Sequence, residues 1–305
     1  MKRSTHARLY MRKYWQLYAL MALPILYFLL FKFLPMAGNI IAFRKYRLGQ
    51  SIFGVEWSGL KYFNMFMRDP SFWRAFGNTL KLSVLNLIIT FPVPVVFALL
   101  LNEIQNSRMK KFIQTVSYLP RFFSTVVIVS MMSEILSPTT GIVNKTLQSL
   151  FGMTPIYFMG EPEWFRFNYI VSDIWQFTGY TAVIYFAAIT GVSQELYEAA
   201  MIDGANRWQQ TFYVTIPSIF STIMVMLIMK IGQLMTVSFE KVLLMYNTQN
   251  SSASDIIDTF VYRIGLTQTN YSYATAVGLF GAVVGLVLVF GANRLSRSLT
   301  GESLY

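Results

Sequence analysis

Six stretches of the chain stay apolar for about 20 residues: 17–36, 80–101, 112–135, 168–189, 217–237 and 274–292. At a rise of about 1.5 Å per residue, a helix of that length crosses a hydrocarbon core of about 30 Å. None of them alternates apolar and polar residues with a period of two, so the pattern predicts helices and no spanning strands. The chain is expected to be an all-α integral membrane protein with about six transmembrane helices. The polar intervals divide it into a basic tail (1–16), a first helix (17–36), an aromatic loop (37–79), a helical core (80–292) and a second tail (293–305). The first apolar run is longer than the 7–15 residues of a signal-peptide core, and no small-residue cleavage site follows it, so it reads as a retained helix.

Composition narrows the function. Only 13% of the 305 residues are charged and 54% are hydrophobic, against about 25% charged in a soluble domain. The net charge of +11 forms no Lys/Arg stripe on a soluble domain; it reads as membrane-surface anchoring, and no nucleic acid is expected. The absence of cysteine excludes disulfides, thiolate metal sites and a cysteine nucleophile. The single histidine, His6, cannot form a histidine metal motif. No Gly-x-x-x-x-Gly-Lys-Ser/Thr occurs, so the chain has no P-loop for ATP, and no Gly-x-Ser-x-Gly nucleophile motif stands out. Basic residues divide almost evenly between the two sides of the six runs. The tail before the first helix carries five basic residues and no acidic one, which favours both termini inside.

One interval is unusual. ELYEAAMIDGANRWQQTFYVTIP, residues 195–217, is polar between two apolar runs. Ser193 can cap a helix beginning at Gln194, with Glu195 in the first turn where a carboxylate complements the helix dipole. Gly204 supplies the stop, because glycine accepts the left-handed conformation there. A second short helix is expected over 205–213, with Trp208 and Phe212 a turn apart, and Pro217 suits the first turn of the next span.

The spacing Glu198-Ala199-Ala200, three residues, Gly204, nine residues, Val214-Thr215-Ile216-Pro217 resembles the EAA loop of the membrane subunits of binding-protein-dependent ABC importers. The resemblance extends to YLPRFFSTVV at 118–127, DTFVYRIGL at 258–266 and the terminal GESLY, which are similar to the sugar-importer branch and its polysaccharide/lipoprotein-type permeases. It implies a MetI-like permease core in a bacterial cytoplasmic membrane, with loop 193–217 in the cytoplasm and both termini cytoplasmic. It also implies that Glu198, Ala199, Ala200, Asp203 and Gly204 couple the chain to an ATPase. The implied partners are a second homologous permease subunit, two ABC ATPase subunits holding ATP and magnesium, an extracytoplasmic sugar-binding (lipo)protein, membrane lipid and an oligosaccharide substrate. This chain would bind no cofactor and catalyse no reaction. Arg121 departs from the pattern, since members often carry histidine after Leu-Pro.

Polar groups within the runs are candidates for the substrate path. Lys230 lies about 20 Å along the fifth run from Pro217, where a charge should face protein or water. It either lines the path, with Gln233 on the same face, or pairs with Glu134, Asp173 or Glu240. Trp175, Gln176 and Tyr180 combine aromatic faces with an amide, as sugar sites do, or form an interfacial aromatic belt. Lys81 is expected to snorkel to the interface. Pro120 is expected to kink the third run, with Arg121 answering a freed carbonyl or lining the path, and Pro92 and Pro94 to break the second. The long loops 37–79 and 137–167 carry aromatics suited to a membrane face or a docked partner. An ion-coupled secondary transporter would leave the loop spacing unexplained, and a membrane-embedded transferase would need a cluster of catalytic Asp/Glu or His at one membrane face that His6 alone does not supply; co-purification of an ABC ATPase separates these readings.

Overall fold

A computed structural model describes residues 13–51, 56–234 and 237–300. The tail ahead of Lys13, with His6, and the terminal GESLY lie outside the described residues. The described residues form helices, with one isolated antiparallel bridge between Arg44 and Trp57. In chain order the main helices are α1 (Trp15–Phe28), α2 (Lys61–Met67), α3 (Pro70–Thr90), α4 (Pro92–Glu103), α5 (Ser107–Tyr118), α6 (Thr125–Ile135) and α7 (Ile142–Phe151). They continue with α8 (Pro162–Thr190), α9 (Gln194–Ile202), α10 (Arg207–Gln210), α11 (Phe220–Gly232), α12 (Phe239–Met245), α13 (Ile257–Tyr262) and α14 (Tyr271–Thr300).

Among the described residues three helical runs are long and apolar enough to cross a membrane: Trp15–Phe43, Pro70–Glu103 and Tyr271–Gly291. Two bent pairs bring the total to 5 if each is one span. The expected six are therefore met by three to five. The run at 168–189 is helical as α8, but polar residues along it keep it out of that set. The third run is not the kinked helix expected. It bends by 98° between Ser107–Phe122 and Thr125–Ile135, and the break follows Pro120 by three residues. Pro120 starts a 3-10 turn, where it needs no donor. The chain becomes extended at Phe123, and the Ser124 hydroxyl then accepts from the Val127 N–H at 3.3 Å to cap a new helix. The second run is the opposite case: Pro92 and Pro94 do not break it. Phe91 stays helical (φ −67, ψ −46), and Pro70–Glu103 forms one 34-residue run. Prolines act differently elsewhere. π-Helical turns cover Leu29–Phe33 and Thr211–Thr215, each centred four residues before a proline (Pro35, Pro217), where the ring would clash with the carbonyl of residue i−4.

The chain divides into two compact units: the part up to Arg68 with Arg263–Leu279, and Asp69–Tyr262 with the part from Phe280 onward. In the first, the aromatic loop is tied down. Phe43 stacks on Trp57 at 5.9 Å and on Phe63 at 5.3 Å. The Tyr46 N–H donates to Ser272 Oγ at 3.0 Å, and that hydroxyl donates to the Arg44 carbonyl at 2.7 Å. α1 has no buried residue, so its apolar surface faces outward all round.

In the second unit α8 is central. One face packs Phe165, Tyr169 and Ile170 with Leu82, Val129, Val242 and Met245. Further along, Ala182, Tyr185 and Ile189 pack with Ala98 and Ile219. Two helix backbones come close at Gly179, where an added Cβ would lie 2.2 Å from the Ser117 carbonyl oxygen.

Buried asparagines hold the connecting segments. Asn144 Nδ2 donates to the carbonyls of Leu136, Ser137 and Ile156 at 3.0–3.1 Å. Asn250 Nδ2 donates to Met159 and Met245 carbonyls at 2.9 Å, while its Oδ1 accepts from Ser254 Oγ at 2.6 Å. Asn250→Ala would leave those carbonyls buried and under-satisfied. The expected loss is at least about 3 kcal/mol, since each of the three unmade buried hydrogen bonds costs roughly 1–3. It should show as a lower unfolding midpoint of the detergent-purified protein.

Candidate functional site

Two features of the second unit are candidates. The first is the polar segment 193–217. Ser193 Oγ accepts from the Glu195 N–H at 3.3 Å and starts α9. At the other end Gly204 takes φ +79. Its N–H donates to the Met201 carbonyl at 3.1 Å, and the Ala205 N–H donates to the Ala200 carbonyl at 2.9 Å. This pair of bonds is a complete Schellman stop. Asn206 then opens α10 through a capping box: its Oδ1 accepts from the Gln209 N–H at 2.9 Å, and Gln209 Oε1 accepts from the Asn206 N–H at 2.8 Å. The expected helix over 205–213 is thus a four-residue helix that continues as a π turn.

Local hydrogen bonds therefore hold α9 in shape, and α9 has no buried residue. Glu198, Ala199, Asp203 and Gly204 are exposed and Ala200 is half-buried. Large apolar side chains stand out beside them: Ile202 is 88% exposed and Trp208 72%. The segment is anchored at two points. Tyr197 Oη lies 2.9 Å from the buried Thr215 Oγ1, and Arg207 pairs with Glu103 at the end of α4 at 3.3 Å. That ion pair is solvent-exposed, so it contributes about 1 kcal/mol at most.

The second feature is a cavity of about 320 Å³ between α3, α8 and α11, lined by Ser83 and Asn86, by Tyr169, Asp173 and Phe177, and by Lys230 and Gln233. A smaller one of about 50 Å³ shares Asp173, Phe177 and Lys230 and adds Thr90, Thr181 and Met226. The lining follows helical spacing on all three helices: 83, 86 and 90; 169, 173, 177 and 181; 226, 230 and 233. Together they form one polar track along three apolar helices.

Its centre is a buried ion pair. Lys241, 1% exposed, lies 3.3 Å from Asp173 Oδ1. Its ammonium also sits 5.4 Å from the Tyr169 ring and 5.6 Å from the Phe177 ring, close enough for cation–π attraction. Asn86 Nδ2 donates to the other carboxylate oxygen at 3.2 Å. Asp173 is thus closed by Lys241, and Glu240 accepts from Thr125 Oγ1 at 3.1 Å. Lys230 makes no ion pair among the described residues.

Of the five residues read from the sequence as path candidates, Lys230 and Gln233 line the cavity. Trp175, Gln176 and Tyr180 do not. Trp175 is 46% exposed and stacks on Phe123 at 6.4 Å. Gln176 is buried, and Tyr180 is exposed beside Arg121, whose guanidinium lies 5.1 Å from the Phe177 ring and 5.4 Å from the Tyr180 ring. The face of α8 toward the cavity is instead that of Tyr169, Asp173 and Phe177. Their i, i+4, i+8 spacing was available in the sequence, as was the i, i+3 spacing of Ser83 and Asn86. Lys241, just beyond the fifth apolar run, is buried; its flanking Phe239, Val242 and Met245 were the signal.

Residues 94–301 match the family model described as binding-protein-dependent transport system inner membrane component. Protein LplB of Bacillus subtilis (strain 168) is 44% identical over 95% of this chain and 91% of its own length. The polygalacturonan/rhamnogalacturonan transport system permease protein YteP of the same organism is 47% identical over 94% and 89%. A chain in the crystal structure of a bacterial alginate ABC transporter, in complex with an alginate pentasaccharide-bound periplasmic protein, superimposes with a TM-score of 0.89 at 39% identity, covering 96% of this chain and 98% of that chain. A family match over two thirds of the chain, with relatives aligned almost end to end, places this protein among the inner membrane components of binding-protein-dependent transport systems.

Proposed function

We propose that the chain is the permease subunit of an ATP-driven importer that moves an oligosaccharide across the bacterial cytoplasmic membrane by alternating access. It would pair with a second homologous permease, two ATPase subunits holding ATP and magnesium, and an extracytoplasmic sugar-binding (lipo)protein. Both termini and the 193–217 loop would face the cytoplasm. The substrate reading draws on relatives named for polygalacturonan/rhamnogalacturonan transport and for alginate, an acidic polysaccharide, and points to a polysaccharide-derived oligosaccharide. The observation that carries the coupling reading is α9: a helix finished by its own caps, with no residue buried in its own chain. Such an element is shaped before it meets a partner, so a push from that partner travels into the helices at either end instead of being lost in a soft loop.

In this reading Glu198, Ala199, Ala200, Asp203 and Gly204 form the contact with the ATPase. Gly204 tests it cleanly. A Cβ there would meet nothing of this chain within 4 Å, so within the chain a substitution acts only through the positive φ, which a β-branched residue resists most. Gly204→Val is expected to leave membrane insertion unchanged and to lower ATP-driven uptake at least tenfold in a reconstituted complex, with ATP hydrolysis no longer responsive to substrate. Asparagine tolerates the left-handed conformation, so Gly204→Asn should retain most of the uptake. Wild-type coupling in the valine variant would remove the loop from the mechanism.

A further inference from the structure

We propose that the cavity between α3, α8 and α11 is a seat for a sugar carboxylate, with Lys230 as the counter-ion and Ser83 and Asn86 reading neighbouring hydroxyls. This deepens the oligosaccharide-import reading and rests on it. Two observations converge. First, the charge balance of the cavity is positive. Its charged lining residues are Asp173 and Lys230, and Asp173 is already neutralised from behind by the buried Lys241. The ammonium of Lys230 remains, without an ion pair among the described residues. A half-buried cation in a low-dielectric wall is costly to leave unpaired, and an anionic ligand is the partner that offsets that cost.

Second, the cavity holds polar atoms that the protein leaves unsatisfied. Ser83 Oγ and Asn86 Oδ1 are buried and have no hydrogen-bond partner among the described residues. The Asn86 amide is oriented by its donation to Asp173 Oδ2, which leaves its oxygen as an acceptor for a ligand hydroxyl. Buried polar groups normally find partners, and two on one helix face beside a cation describe a binding surface. A neutral sugar would satisfy Ser83 and Asn86 but leave Lys230 desolvated; a uronate satisfies all three.

The test is equilibrium binding to the purified full transporter, without the binding protein. The probes are trigalacturonate and trimannuronate, each against its carboxyl-reduced neutral counterpart. Wild type is expected to bind an acid at least ten times more tightly than its neutral counterpart. Lys230→Met should abolish that preference and Lys230→Arg should keep most of it. Ser83→Ala should weaken acid and neutral forms alike, by a few fold. Equal binding of acid and neutral forms, binding of none of the four, or a preference that survives in Lys230→Met would overturn the proposal. The acid-against-neutral comparison in wild type decides the matter even if the methionine variant fails to assemble. ATP-driven uptake by the same protein in liposomes separates the two readings. Intact oligosaccharide uptake without acid preference removes only the carboxylate seat, whereas absence of ATP-driven uptake of any oligosaccharide removes the import reading.

Discussion

Replacing Lys241 by methionine is expected to destabilise the protein by about 3 kcal/mol, the low end of the roughly 3–5 kcal/mol for breaking a buried ion pair from one side. Lys241 is 1% exposed and Asp173 9%, so neither can regain water when the other is removed. The cost sits at the low end because Asn86 still donates to Asp173. Lys230 shares the cavity and is the cation left to answer the stranded carboxylate. Uptake should therefore fall with stability, as Lys230 is drawn toward the carboxylate and out of its place in the cavity. The double variant Asp173→Asn with Lys241→Met leaves no stranded charge and keeps an acceptor for Asn86. It is expected to recover most of the lost stability. Unfolding midpoints of the purified variants, with the yield of monodisperse protein, measure this. A single variant as stable as wild type, or a double variant no better than the single, would show that the pair does not organise the core.

Gly179→Val is expected to be at least as damaging. A Cβ at this position would lie 2.2 Å from the Ser117 carbonyl oxygen and 2.5 Å from its carbonyl carbon. These are backbone atoms of α5, so no rotamer change relieves the contact, and α5 and α8 must separate. Overpacking of ordinary cores costs about 1–3 kcal/mol; a β-branched residue against backbone should reach or exceed the upper figure. The consequence reaches the site, because α8 carries Asp173 and Phe177 less than two turns away. Gly77→Ala is the control. Nothing lies within 4 Å of a Cβ there, so it should be neutral or slightly stabilising for a helical glycine. Equal yields of folded protein for Gly179→Val and Gly77→Ala would mean that the contact between α5 and α8 carries no weight.

The 193–217 segment was legible almost residue by residue. Ser193, Gly204 and the short second helix all follow from local hydrogen bonds spanning six residues or fewer, which composition and spacing specify directly. The one miss there, the π turn over Thr211–Thr215, has an equally local cause in Pro217. The apolar runs were legible for the same reason: length and hydropathy are properties of a segment alone. Their shapes were not. Pro92 and Pro94 pass through a continuous run, while Phe123 and Ser124 make the sharp break, because whether a helix bends depends on what replaces its lost hydrogen bonds.

What the sequence by itself determined is which segments are helical and apolar, where the polar loop is capped and stopped, and that the chain cannot hold ATP in a P-loop of its own. Only the tertiary structure decided which lysine Asp173 pairs with. Residues 173 and 241 are 68 apart and 173 and 230 nearly as far, so nothing in the spacing favours one over the other. The packing of α12 against α8 brings Lys241 to the carboxylate and leaves Lys230 facing the cavity. The same packing turns Tyr169, Asp173 and Phe177 inward and Trp175 and Tyr180 outward. Caps are satisfied within a turn of chain, but a buried charge is satisfied only by what the fold places next to it.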